Sequence, residues 1–158
     1  MNMNRIANLD ELLTLENINE SIIALDNFIC ELCSWGDNLE NLTDSQLVFY
    51  FNQNLEREVN NGGLIQFFTN SSGDFTHETI NSLKLIHAEH TASILQLAID
   101  QFPNKSVPAN TSERIVLVEH IIETAMEKWD VLDQKFYEYK DDLNALNIEY
   151  VRRNRTEF

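Results

Sequence analysis

The sequence contains few of the residues that interrupt regular structure, with 4 glycines and 2 prolines among 158 residues. That scarcity disfavours an all-β architecture, which needs many tight turns. The 2 cysteines are too few for a disulfide framework. No apolar run approaches the roughly 18 residues that span a bilayer, and residues 1–5 lack the pattern that opens a signal peptide. We therefore expect a cytoplasmic protein without membrane association.

Basic residues are also scarce, because 11 Lys and Arg stand against 26 Asp and Glu, for a formal net charge of −15. Small soluble domains usually carry a net charge of about 2–8 in magnitude. A field this negative repels nucleic acid and anionic lipid and attracts basic surfaces. We therefore expect no direct nucleic-acid binding, and a basic protein partner is favoured.

Apolar residues recur at helical spacing along nearly the whole chain. The length is that of one domain, and the 43% apolar fraction is sufficient to form a core. We predict a single compact all-α domain over residues 1–158, with five to seven helices. The segment 76–101 has apolar residues on two sides, which is typical of a central helix. The predicted helices span about 16–34, 43–60, 64–68, 76–101, 110–129 and 142–153.

Acidic residues repeat along one face of the helix that begins near residue 110. Glu119, Glu123, Glu127 and Asp130, hereafter the carboxylate row, follow i, i+4, i+8 and i+11 spacing. Successive carboxylates then lie about 6 Å apart along the helix axis, a spacing that resembles a run of phosphates. Acids also share one side of the first predicted helix, and they form a second candidate patch: Glu16, Glu20 and Glu31. A simple solvated helix face is the alternative.

Other polar residues have a structural and a functional interpretation. Glu58 falls in an apolar stripe, so it is either a staple that joins two helices through backbone N–H groups of the following turn or a general base. Cys30 and Cys33 lie inside a predicted helix and are expected to be core residues. His87 and His90 fall on an apolar stripe and are expected to be packed and hydrogen-bonded. No catalytic, metal or cofactor signature is present, so we expect a non-enzyme without cofactor or metal.

The segment 58–74, with the string E-V-N-N-G-G-L-I-Q-F-F-T-N, resembles the signature of a bacterial family typified by an acidic DNA-mimic protein. The resemblance covers most of residues 45–158, whereas residues 1–40 match less clearly. His87 stands where the family pattern has a glycine. The residues of the signature are Glu58, Asn60, Asn61, Gly62, Gly63, Gln66, Phe67, Phe68, Asn70 and Gly73.

The resemblance implies an all-helical fold. For the DNA-mimic member it also implies a homodimer whose acidic surface imitates duplex phosphates and occupies a DNA-binding transcription regulator. The signature itself holds few acids and suggests a buried network of amides and turns, so it supports the fold more than the function.

Three functional hypotheses follow from these observations. The first is a non-catalytic DNA mimic that binds a basic DNA-binding protein through the carboxylate row and the second patch. The alternative is an immunity or antitoxin-like inhibitor of a basic toxin or nuclease. The third is an enzyme built around Glu58, Asn61 and Gln66.

Overall fold

Residues 6–158 are described by a computed structural model, and within this range the chain is helical with no β-strand. The expectation about a signal peptide concerned residues 1–5, which lie outside the described residues. The all-α prediction of five to seven helices is confirmed. The α-helices are α1 (Leu9–Leu12), α2 (Ile18–Leu32), α3 (Asp44–Thr69), α4 (Thr76–Leu85), α5 (Glu89–Ile99), α6 (Thr111–Tyr137) and α7 (Leu143–Arg153).

Helix α3 lies at the centre of the molecule. It begins at a capping box in which the Thr43 hydroxyl accepts the Gln46 N–H and the Gln46 side chain accepts the Thr43 N–H. It contacts α2, α4, α6 and α7. Its first half is buried on nearly every side, which includes the polar side chain of Asn52. The central helix that we expected is therefore α3 and not the segment 76–101.

The segment 76–101 was expected to be one helix, but it forms two, α4 and α5. The chain leaves α4 at His87, where φ is +66°. The His87 N–H donates to the Lys84 carbonyl and the Ala88 N–H to the Leu83 carbonyl, at 3.0 and 2.8 Å. These two bonds form the Schellman motif that terminates many helices. The prediction was wrong because no glycine or proline marks the break.

A second break lies inside α3 at Gly62 and Gly63, whose backbone angles are not helical. The sequence predicted a helix end here followed by a short apolar helix. The backbone interruption is confirmed, and the chain resumes helical geometry at once up to Thr69. Helix α3 therefore consists of a long segment before the two glycines and a short one after them.

Two hydrophobic clusters fill the interior, and α3 contributes to both. The first lies among α3, α4, α5, α6 and part of α7, and it includes the ring contact between Phe68 and Trp129. The second packs α1, α2 and α7 around Phe49 and Phe158. Cys30 and Cys33 are buried and unpaired in the second cluster, as predicted for core cysteines. Helix α6 therefore packs in the first cluster and α2 in the second.

Helix α6 extends farther than predicted, to Tyr137 rather than Trp129. Its buried residues continue past Trp129 to Leu132 and Phe136, at the same three- to four-residue spacing. Among the described residues, no helix is long and apolar enough to cross a membrane.

Candidate functional site

The carboxylate row lies on the exposed face of α6. All four side chains are exposed. Each residue advances about 100° around an α-helix, so the centre of the row lies about 135° around α6 from the buried side chains of Val118, Ala125 and Trp129. The long α6 therefore presents these acids to solvent while its buried face enters the first hydrophobic cluster.

The acids of the row have no internal counter-ion. None of the four side chains forms an ion pair or a hydrogen bond with another side chain within residues 6–158. The six ion pairs of this part of the chain lie elsewhere: Arg57–Asp26, Lys105–Asp100, Arg114–Asp74, Lys140–Glu138, Arg152–Glu149 and Arg155–Asp10. Six bases of residues 6–158 are thus paired with acids outside the row, and none is paired with an acid of the row.

The second candidate patch is less compact than its helical wheel suggested. Glu16, Glu20 and Glu31 are all exposed. Glu16 precedes α2, whose cap is Asn17, so its assignment to a helix was wrong. Glu20 and Glu31 share a face of α2 but are separated by about 16 Å along its axis. These three acids therefore form no continuous row comparable with that on α6.

Glu58 joins the two sides of the break in α3. Its carboxylate accepts hydrogen bonds from Gln66 Nε2 at 2.7 Å, Asn70 Nδ2 at 2.9 Å and the Ser72 hydroxyl at 3.1 Å. We expected backbone N–H groups as donors, and the donors are instead side chains. Both carboxylate oxygens have partners, so the contacts are those of a structural staple.

Helix α6 satisfies backbone groups that the break at Gly62 and Gly63 leaves free. Asp133 Oδ1 accepts the Leu64 N–H at 2.8 Å, and the Tyr137 hydroxyl donates to the Val59 carbonyl at 2.8 Å. Burial raises the pKa of Asp133 to about 6, with a further contribution from Asp130, although the Leu64 N–H opposes the shift. The same burial, with the charge of Asp133, raises the pKa of Tyr137.

Tyr139, which lies two residues beyond α6, contacts α3. Tyr139 donates its hydroxyl proton to Glu56 at 3.0 Å and accepts from Asn60 Nδ2 at 2.6 Å. Burial is the largest cause that raises the pKa of Tyr139, to about 12. Phe67 and Phe68 are fully buried. The signature therefore contributes to the junction that fixes α6 on α3. The expectation that its amides are buried was wrong for Asn60, Asn61 and Asn70, which are exposed.

Arg114 is a buried residue that the sequence analysis missed. Its guanidinium is fully buried at the start of α6 and pairs with Asp74 at 2.7 Å. It also donates to the Phe68 and Asn70 carbonyls, at 2.6 and 2.8 Å. A Cβ on Gly73 would lie 2.7 Å from Arg114 Nε, so the signature glycine makes room for this arginine. The N-terminal end of α6 is thereby held to the signature segment as well.

The two histidines differ from their expected environment. His87 is exposed and its Nε2 lies 3.2 Å from Arg153 NH1, so its predicted packing in the core was wrong. His90 is half-buried, and its Nε2 has no hydrogen-bond partner among the described residues. Within the described residues, no group of three or more His, Cys, Asp or Glu side chains is arranged to hold a metal ion.

Comparison with known proteins agrees with these structural observations. A family model described as DMP19-like protein matches residues 40–154. A search of curated proteins and a search of solved structures each find no significant match. The family match includes the whole signature segment and all of α3 to α7. Because it extends over more than half of the chain, the protein belongs to the DMP19-like protein family.

Proposed function

We propose that this chain is a non-catalytic acidic binding protein, a DNA mimic that occupies the DNA-binding surface of a basic partner such as a transcription regulator. The observation that carries the proposal is the carboxylate row, which is exposed and without an internal counter-ion among residues 6–158. Membership in the DMP19-like family supports it, as does the net charge of −15.

Competition with DNA is the proposed mechanism. A DNA-binding surface presents Lys and Arg side chains to successive phosphates. The carboxylate row offers anions about 6 Å apart along one helix, and α6 is held to the signature segment by Arg114 at its start and by Asp133 near its end. Glu16, Glu20 and Glu31 then add a second, weaker patch. Binding of this kind weakens as salt screens the charges.

The contacts of Glu58 favour a binding function over catalysis. An enzyme built around Glu58, Asn61 and Gln66 requires a carboxylate free to accept a substrate proton. Glu58 instead accepts three hydrogen bonds from side chains, one of them from Gln66. We therefore assign Glu58 and Gln66 a structural role at the break in α3.

An affinity-capture experiment with two variants tests this function. The row variant carries Glu119→Gln, Glu123→Gln, Glu127→Gln and Asp130→Asn. The control variant removes the same number of charges from four exposed acids on other segments: Asp37→Asn, Glu40→Gln, Glu78→Gln and Glu89→Gln. Wild type and control are expected to retain a basic DNA-binding protein from a native lysate at low salt, and the row variant is expected to lose it.

The captured protein is then bound to a DNA duplex and titrated with this chain. Displacement of the duplex by wild type, but not by the row variant, is the expected result. Simultaneous binding of chain and duplex contradicts mimicry. Capture of a toxin or nuclease instead of a regulator supports the alternative, an immunity or antitoxin-like inhibitor.

A further inference from the structure

An apolar groove lies beside the carboxylate row, between α5 and α6. Its volume is about 500 Å³, and Leu97 and Gln101 line it from α5. Glu127, Lys128, Val131 and Leu132 line it from α6. Leu97 and Val131 are 46% and 53% exposed although both are large and apolar. Single exposed apolar side chains are ordinary on a protein surface, but these two lie on opposite walls of one groove.

The groove and the row are continuous with each other. Glu127 belongs to both, and Asp130 precedes Val131 in the chain. At about 100° per residue, Val131 lies roughly 40° around α6 from Glu127. A ligand that contacts Glu127, at the edge of the row, therefore lies next to the apolar wall of the groove.

The two sides of the groove carry opposite charges. Glu127 is on the side of the row, where Glu123 and Asp130 extend the negative field. Lys128 lines the groove next to Glu127 in the chain, but it lies about 100° farther around α6. A cationic ligand is therefore attracted toward the row and repelled from the side of Lys128, which fixes its orientation.

We propose that this groove receives a large apolar side chain from a basic amphipathic helix of the partner, whose Lys and Arg residues lie on the row. This inference rests on the proposed function and deepens it, because it names the kind of segment that is recognised. Helices with an apolar face bind grooves of this type, and the negative rim selects those with cationic neighbours. The row alone attracts any basic surface. The groove adds a requirement for an apolar side chain, so it distinguishes one basic partner from another.

The groove and the row make contributions that differ in salt dependence. Pairing of exposed charges weakens as ionic strength rises, whereas burial of an apolar side chain does not depend on such pairing. Burial of one leucine side chain corresponds to roughly a 10-fold or larger gain in affinity. We therefore expect part of the affinity to remain at high salt.

Two synthetic helical peptides of equal charge provide the probe. Both carry Lys and Arg at i and i+4 spacing, and only one carries leucines on the adjoining face, where the other carries serines. Calorimetric titration of the full chain at 0.05 and 0.5 M NaCl measures each affinity. The leucine peptide is expected to bind about 10-fold tighter, with an advantage that persists at the higher salt.

Matched variants locate the binding site. The double variant Leu97→Gln and Val131→Gln keeps good helix formers on exposed positions, and it is expected to abolish the advantage of the leucine peptide. The control is Leu85→Gln, because Leu85 is 53% exposed at the end of α4 and does not line the groove. An equal loss in control and double variant overturns the proposal.

The remaining outcomes separate this inference from the proposed function. If both peptides bind wild type equally, and the row variant weakens both, then the function stands and the groove is not used. If neither peptide binds at low salt, or the row variant binds both as well as wild type, then charge recognition by the row is itself contradicted.

Discussion

At the scale of single residues, His87 occupies a backbone conformation that favours glycine. Its φ of +66° places it at the left-handed position of the Schellman motif that ends α4. An L-residue with a Cβ is strained there by about 1 kcal/mol or more. The contact of His87 with Arg153 is exposed and offsets little of that strain.

We predict that His87→Gly raises the free energy of unfolding by about 0.5–1 kcal/mol, because glycine relieves the strain. Urea unfolding measures the change. As a control, Gln96→Gly replaces an exposed residue in the middle of α5 and is expected to lower stability by a similar amount. A loss of stability in His87→Gly as large as in the control contradicts the argument.

Asp133 gives stability a specific pH dependence. Its pKa in the folded chain is about 6, above its ordinary value of 3.8. The protonated carboxyl is thus favoured by the fold, so its contribution is fully present below about pH 3.8 and is lost as pH rises through about 6. Asparagine keeps an oxygen for the Leu64 N–H without the charge.

We predict that Asp133→Asn gains stability relative to wild type between pH 4 and pH 7, on the order of 1 kcal/mol once partial solvent screening is included. Unfolding curves at both pH values measure this difference. Asp133→Ala removes the acceptor as well and is expected to lose about 1 kcal/mol at pH 4, where the charge is absent in both proteins. A pH-independent difference between wild type and Asp133→Asn contradicts the prediction.

The role of a residue was predictable where it depends on neighbouring positions in the chain, and not where it depends on a distant segment. The resemblance marked position 87 as a glycine site, and the structure supplies the reason. The roles of Asp133 and Arg114 depend on backbone groups exposed by breaks in distant segments. Periodicity assigns such residues to a helix face but does not identify an unsatisfied N–H or carbonyl 40 to 70 residues away.

At the scale of elements, the junction at Gly62 and Gly63 fixes the angle between the two parts of α3. Gly63 has φ of +76° and ψ of −177°, a region that is essentially restricted to glycine. A Cβ at Gly63 would also overlap Asp133 Oδ2. A Cβ at Gly62 would meet only the flexible side chain of Gln66, and φ there is −160°.

We therefore predict that Gly63→Ala lowers the free energy of unfolding by about 2 kcal/mol or more. Gly62→Ala is the neighbouring control, and its cost is expected to be smaller. Denaturant titration of both variants gives the comparison, and circular dichroism of the folded states reports whether helix is retained. Equal costs at the two positions contradict the conformational argument.

The elements themselves were predicted best where a cap or a glycine marks their ends. The predicted bounds of 43–60 and 64–68 agree with the start of α3 at its Thr43 cap and with its break at Gly62 and Gly63. The division between α4 and α5 was not, because the apolar stripes continue across it. The end of α6 was also set too early, although Leu132 and Phe136 continue its apolar pattern to Tyr137.

At the scale of the whole molecule, the distribution of charge matters more than its total. Six bases within residues 6–158 are taken up by ion pairs away from the carboxylate row. The row holds three neighbouring like-charge pairs at i, i+3 or i+4 spacing. Each such pair destabilises a helix by about 0.2–0.5 kcal/mol, so the row opposes folding in the absence of a partner.

We predict that the row variant is more stable than wild type by about 1 kcal/mol at 10 mM salt, because three repulsive pairs are removed. The gain should decrease at 0.5 M salt, where screening already weakens the repulsion. The control variant removes acids from the first turns of α4 and α5, where they favour the helix dipole. It is therefore expected to gain nothing.

Thermal unfolding of the three proteins at both salt concentrations measures these differences. A gain in the row variant that accompanies loss of partner binding identifies a surface on which stability has been exchanged for recognition. An equal gain in row and control variants instead assigns the effect to net charge alone, and the arrangement of acids along α6 then has no special consequence for stability.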